Sequence, residues 1–242
     1  MSAEEKKENI DQSTSERGRG KVREEEGKVT AASLRDWIAE GNERQVRNLP
    51  RGSSSVLIPI LIRDGAYHVL YEVRAADLHT QPGEICFPGG RIEPGERPLE
   101  AAVREAAEEL CISRDQIEII GELEKTVGPG GIAFYSYIGV LNSYDWTWSK
   151  DEVERVFTIP LDWIVKHDPE IYRIRLERSF PDDFPYEYVP GGTEYHWRNQ
   201  YHTVPFYPEA IDRKGDEPVL WGMTARVTYA LAQVLRAGRR KD

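Results

Sequence analysis

The chain has 242 residues, 39% of them hydrophobic, and a formal charge of −10; this supports one good-sized core and excludes a general nucleic-acid binder, whose affinity needs a basic footprint. The longest apolar runs, such as Val56 to Ile62, fall far short of the roughly 18 to 20 residues of a membrane span. The N-terminus carries no apolar signal core, so a cytoplasmic chain with no membrane partner is expected. The two cysteines, Cys86 and Cys111, have neither a C-x-x-C spacing nor enough partners for a disulfide framework or zinc site. Both are expected to be reduced and at least partly buried.

Residues 1–30 mix both signs of charge with almost no apolar residue and are expected to be a flexible tail. Residues 31–50 are expected to be an N-terminal helix and linker, with Ser33 as cap and Leu34, Trp37, Ile38 and Val46 as its apolar stripe. The remainder, 51–242, is one domain. VLIPILIR, Asp64-Gly65 and YHVLYEVR spell a strand, a tight turn and a second strand. EICFPGG and RIEPGER follow, and Pro98 then opens a helix to about Cys111. Strands are predicted at Ile117 to Lys125 and Ala133 to Leu141, and VFTIPLDWIVKH predicts a short strand and then a helix from about Pro160. Residues 177–206 hold many aromatics but little periodicity, the mark of an ordered lid or dimer contact. A last helix is predicted from Val219 to Arg236, with Leu220, Met223, Val227, Ala230, Leu231 and Val234 on its buried face.

The helix after Pro98 carries the chemistry. Leu99, Ala102, Val103, Ala106 and Leu110 share one face, while Glu105, Glu108 and Glu109 stand at i, i+3 and i+4 and converge beside it. Like charges so placed repel, and a bound divalent cation removes the penalty. Carboxylate oxygens are the ligands that hard Mg²⁺ or Mn²⁺ prefers. Taken alone, the same pattern also describes a solvated acidic face with an Arg104–Glu108 ion pair.

The context decides between the two. From Gly90 the sequence resembles the Nudix box, G-x5-E-x7-R-E-U-x-E-E-x-G-U with U apolar, and Gly90, Glu96, Arg104, Glu105, Glu108 and Glu109 all fall on its register. Six such matches at a given start have a chance on the order of 10⁻⁷ at average residue usage. Cys111 stands where the motif has Gly, a residue suited to the left-handed end of a helix. The resemblance implies a Nudix α/β/α sandwich, a mixed β-sheet between helices. It further implies metal ligation by Glu105, Glu108, Glu109 and a glycine carbonyl at Gly90, with Glu105 accepting the proton of an attacking water. Arg104 would orient Glu105, and Glu96 would tie the loop to the helix through Arg104 or a main-chain amide. The implied reaction is attack of water on one phosphorus of a pyrophosphate, assisted by Mg²⁺ or Mn²⁺.

The stretch LYEVRAADLHTQPGEICFPGG is similar to the upstream signature of the coenzyme A pyrophosphatase group, with Leu70, Arg74, Gly83, Phe87, Pro88, Gly89 and Gly90 matching it. Tyr71, Ala75 and His79 depart from that signature. The resemblance implies hydrolysis of CoA or acyl-CoA to 3′,5′-ADP and (acyl-)4′-phosphopantetheine. Such a substrate carries an extra phosphate and needs further cations, for which Arg74 and Arg91 are the candidates, with Gly89 close to the substrate. Glu152 is either an extra ligand or base at the mouth of the site or a residue that caps the following turn. The five His residues are scattered and form no ligand set. An ADP-ribose or other nucleoside-diphosphate pyrophosphatase is the enzymatic alternative, and a nucleotide-sensing Nudix module without catalysis is the alternative of another class. The resemblance and the aromatic insertion also allow a homodimer.

Overall fold

A computed structural model describes residue 35 and residues 52–128, 132–197, 200–210 and 217–239. The chain divides into two compact units, Met1–Glu43 and Arg44–Asp242. Arg35 is helical, and every other described residue belongs to the second unit. The expected tail, the rest of the 31–50 segment and the end of TVGPGG lie outside the described residues.

The first hairpin forms where alternation and turn chemistry place it. Strands β1 (Ser54–Arg63) and β2 (Ala66–Arg74) pair antiparallel with Ile60 opposite Val69. Asp64 and Gly65 both take positive φ, 51° and 77°, the turn whose twist matches that of the strands it joins. Strands β3 (Ile85–Cys86), β4 (Gly89–Arg91), β5 (Ile117–Glu122), β6 (Thr126–Val127), β7 (Ala133–Leu141) and β8 (Val153–Pro160) complete an eight-stranded sheet. Its spine runs β3-β2-β1-β7-β5, with β4 added to β1, β6 to β7 and β8 to β2. Strands β1 and β7 are parallel and the other pairings antiparallel, so the sheet is mixed.

Successive residues of a strand point to opposite faces, and here both faces are apolar. On one side Leu57, Leu61 and Leu70 pack with Ala106 and Leu110 at helix α1 (Pro98–Glu109). On the other, Val56, Ile58, Ile60, Val69 and Tyr71 pack with Ile164 of α2 (Leu161–Lys166) and with Val227 and Leu231 of α3 (Gly222–Arg239). Each fully buried side chain of this size contributes about 1.5–3 kcal/mol. The arrangement is an α/β/α sandwich.

A smaller antiparallel sheet, β11-β10-β9, flanks α3. It comprises β9 (Glu170–Leu176), β10 (Gln200–Tyr207) and β11 (Leu220–Trp221). The end of the aromatic insertion is therefore a strand, fixed by long-range pairing with β9 that no local periodicity announces. Before that strand, Phe180, Phe184, Tyr186, Tyr195 and Trp197 pack on one another. The last helix also starts later than expected. Leu220 and Trp221 pair with Tyr207 and Phe206, and Gly222, at φ 65°, turns the chain into the helix. Its contact stripe passes through Leu231, Ala232 and Leu235, which leaves Val234 exposed.

Two side-chain bridges fasten α3 to the sheet. Tyr71 Oη and Thr228 Oγ1 are 3.0 Å apart, and Thr224 Oγ1 donates to Ile85 O at 3.0 Å, just before Phe87-Pro88-Gly89-Gly90.

Helix α1 begins with Pro98 in its first turn and the Arg97 N–H donating to Glu100. It ends in a two-bond reverse turn, Cys111 N–H to Glu108 O and Ile112 N–H to Ala107 O. Cys111 takes φ 52° there and is exposed, contrary to the expected burial, because that turn carries its side chain away from the sheet. The left-handed region costs a residue with a Cβ about 1 kcal/mol. Cys111→Gly is therefore expected to raise unfolding free energy by about 1 kcal/mol in urea titration, with activity unchanged.

Candidate active site

Helix α1 lies across β1 and β4, and the side it turns to the sheet includes Ala101, Ala102, Ala106 and the carboxylate of Glu109, which is 4% exposed. Leu99 and Val103 are only half-buried, and Ala101 takes a place in the stripe that periodicity gave to them. Carboxylates can be pressed against a sheet only where the opposing backbone offers a donor or carries no side chain. Gly89 and Gly90 supply both. The Gly89 N–H donates to Glu109 Oε2 at 2.7 Å. A Cβ on Gly90 would lie 2.5 Å from Glu105 Cδ, so the Glu105 carboxylate occupies the space a side chain would take. A Cβ on Gly89 would lie 2.4 Å from the Ser55 carbonyl oxygen, where neither group can yield.

Arg104 organises the other acids. Its Nε and Nη2 each lie 2.9 Å from an oxygen of Glu96, a two-bond fork. Its Nη1 lies 3.0 Å from Glu105 Oε1 and 3.4 Å from Glu108 Oε2, and Nη2 also donates to Arg91 O at 3.3 Å. Glu96 accepts the Glu93 N–H as well, which closes the loop between β4 and α1.

Sequence inspection missed Glu72 and its partner Cys86. Glu72 is wholly buried on β2, its Oε1 accepting from Cys86 Sγ at 3.2 Å and its Oε2 without a partner. The signal was present as an acid two residues after Leu70, on the face that meets α1. Burial pushes the Glu72 and Glu109 carboxyls well above the ordinary range, and the Glu72 charge adds to the effect at Glu109. Burial also raises Glu105, against the pull of Arg104. Glu152 is exposed just before β8, near enough for its charge to raise Glu72, Glu105 and Glu109.

The two candidate substrate cations stand differently. Arg74 is half-buried at the end of β2, with Nε donating to Thr80 O at 3.2 Å, and its charge favours ionised Glu72. Arg91 is exposed at the end of β4, where its carbonyl accepts from Arg104.

The three α1 carboxylates do not meet at a point. Among the described residues no three acidic, His or Cys side chains are grouped closely enough to hold an ion. Arg104 keeps Glu105 and Glu108, and the Gly89 N–H keeps Glu109. The donor set nevertheless suits a hard divalent cation: its side-chain donors are all oxygens, and two buried carboxyls, Glu72 and Glu109, lack a cationic partner at bonding distance.

A family model described as the NUDIX domain matches residues 54–183, more than half of the chain and all of the residues just placed. The chain belongs to the Nudix family. Over 119 residues it is 38% identical to Nudix hydrolase 3 of Caenorhabditis elegans, covering 46% of this chain and 49% of that protein. It is 34% identical over 137 residues to the peroxisomal coenzyme A diphosphatase NUDT7 of Mus musculus, with coverage of 56% and 58%. With the uncharacterized Nudix hydrolase NudL of Citrobacter koseri, identity is 30% over 186 residues, 76% of this chain and 83% of that one. The chain thus spans about half the length of the first two relatives and most of the third. No described helix is long and apolar enough to cross a membrane.

Two outcomes follow for this Nudix-family chain. Gly90→Ala displaces the Glu105 carboxylate and is expected to lower turnover at least a hundredfold with the circular dichroism spectrum unchanged. Gly89→Ala meets backbone and is expected to lower the melting temperature or prevent folding; equal behaviour of the two variants would contradict this geometry. The second outcome concerns pH. A carboxyl raised by burial leaves stability intact below its unfolded value of 4.5 and withdraws it as pH climbs through the folded value. In chelator, Glu109→Gln is therefore expected to melt increasingly above wild type from pH 5 to pH 8, as followed by scanning calorimetry.

Proposed function

We propose that the chain hydrolyses the pyrophosphate of CoA or acyl-CoA to 3′,5′-ADP and (acyl-)4′-phosphopantetheine. Hydrolysis is carried by one observation above all, the Glu105 carboxylate braced by Arg104 at 3.0 Å in the space left by Gly90. The choice of CoA draws on the likeness to NUDT7, whose name is that of a coenzyme A diphosphatase, and on the FPGG stretch with Arg74 before it.

Glu105, Glu108, Glu109 and the Gly90 carbonyl would hold Mg²⁺ or Mn²⁺, which when bound lowers the pKa of water and offsets charge on the leaving phosphate. The protein's own part begins with Glu105. Its carboxylate accepts a proton from water as the water oxygen bonds to one phosphorus of the pyrophosphate. The bond from that phosphorus to the bridging oxygen breaks, and its electron pair leaves with the other phosphate. A base with a raised pKa takes the proton more readily than an ordinary carboxylate. Arg104 fixes the orientation of that base, and the Glu96 fork fixes Arg104. Arg74 and Arg91 supply positive charge for the substrate's phosphates, and Glu152 borders the mouth.

A panel of CoA, acetyl-CoA, ADP-ribose, NADH, diadenosine polyphosphate and oxidised dGTP, each with Mg²⁺ and with Mn²⁺, tests the proposal. CoA or its thioester is expected to give the highest kcat/KM, with 3′,5′-ADP as product. Preferential turnover of ADP-ribose would replace the substrate but keep the chemistry. Glu108→Gln and Glu109→Gln are each expected to lose at least tenfold in kcat with the fold intact. Nucleotide binding without product in saturating Mn²⁺ would instead indicate a sensing module.

A further inference from the structure

Three buried side-chain oxygens among the described residues lack a hydrogen-bond partner: Ser55 Oγ, Glu72 Oε2 and Tyr207 Oη. Two of them belong to the active-site side of the sheet. Ser55 precedes Leu57 by two on β1 and stands opposite Gly90 of β4. Glu72 follows Leu70 by two on β2, and Leu57 and Leu70 both pack with Ala106 and Leu110 of the α1 layer. Strand alternation therefore sends Ser55 and Glu72 toward the helix that carries Glu105, Glu108 and Glu109.

Glu72 is expensive as a purely structural residue. Its side chain is wholly buried, and its one hydrogen bond comes from a thiol, a weak donor, at 3.2 Å. Arg74 moderates the charge without forming an ion pair to it. A buried carboxylate with half its capacity unmet costs more than an apolar residue of similar size unless something else compensates it. Its neighbours point to what that is. Cys86, which donates to Glu72, is three residues before Gly89, which donates to Glu109.

We infer that Glu72 is a member of the divalent-cation site, adding from the sheet a fourth carboxylate to the three supplied by α1. The inference rests on the proposed metal-dependent hydrolysis and extends it. Mounted on a central strand, Glu72 would fix the cation relative to the FPGG turn, whereas the α1 carboxylates fix it relative to the helix. Two acids from different elements make cation binding a bond between the sheet and the helix.

The test is binding of Mn²⁺ alone, by electron paramagnetic resonance and calorimetry, to the full chain as wild type, Glu72→Gln, Glu109→Gln and Cys86→Ala. Glu72→Gln is expected to weaken Mn²⁺ binding at least fivefold while melting no lower than wild type in chelator. Cys86→Ala, which disturbs the same corner but keeps the carboxylate, is expected to stay within twofold. A smaller loss in Glu72→Gln beside a large loss in Glu109→Gln would overturn the role of Glu72 and leave the hydrolase proposal standing. Unchanged affinity in both would overturn the metal site itself. An equal loss in Cys86→Ala would make the effect one of packing and overturn the inference. Should Glu72→Gln fail to fold, Glu72→Asp keeps the charge one methylene short, and the same fivefold threshold decides.

Discussion

A helix can turn carboxylates toward a β-sheet only where the opposing strand has no side chains in the way and offers a backbone donor in return. Gly89 and Gly90 meet both conditions at once, and most of the site depends on them. The 2.7 Å bond from the Gly89 N–H to Glu109 sets how deeply α1 sinks, and the missing side chain of Gly90 gives Glu105 its place. Depth matters because desolvation does the electrostatic work here: burial is the largest cause of the raised carboxyls at Glu105 and Glu109. On an exposed helix the same residues would be ordinary acids, screened by water.

Packing alone would leave these charges in conflict, and Arg104 limits the conflict without ending it. One guanidinium serves Glu96, Glu105 and Glu108, but unequally. The two 2.9 Å bonds to Glu96 hold it to the loop, whereas the 3.4 Å contact with Glu108 is the loosest. Glu108 is also the most exposed of the three α1 acids, so it is the one most easily given up to a cation. A buried pair would be costly to separate; an exposed pair at this distance costs about 0–1 kcal/mol. The centre is thus rigid at Glu96 and Arg104 and free to rearrange at Glu108.

What could be seen in the sequence was what local rules encode. The β1–β2 hairpin follows from alternation and Asp64-Gly65, and the register of Gly90, Glu96, Arg104, Glu105, Glu108 and Glu109 from their spacing. The mixed sheet with helices on both faces came from resemblance rather than from periodicity, and its eight strands from neither. Features set by contacts between distant segments escaped. Strand β10 is defined by its partner β9, and it hides in a stretch whose aromatics suggested a lid or dimer contact. Glu72 was passed over because an acid inside YEVR resembles the exposed residue of a half-buried strand, whereas this strand is covered on both faces. Cys111 was expected inside because cysteine usually is, yet its place in the helix-ending turn outweighs that preference.

The two faces of the sandwich do different things, but they are not independent. The proposed chemistry lies on the α1 side, while α3 covers the other. Thr224 donates to Ile85 O, and Thr228 meets the buried Tyr71 hydroxyl. Tyr71 stacks in turn on Phe87 with ring centroids 4.7 Å apart. Phe87 is the first residue of FPGG, and Gly89 follows two positions later with the donor that fixes Glu109. Helix α3 therefore helps to set the position of the FPGG turn from behind, through one aromatic pair and two hydroxyl bridges. Since interiors are packed at crystal-like density and transmit small displacements, the distance between α3 and the sheet acts on the same Gly89 donor on which the acidic helix depends.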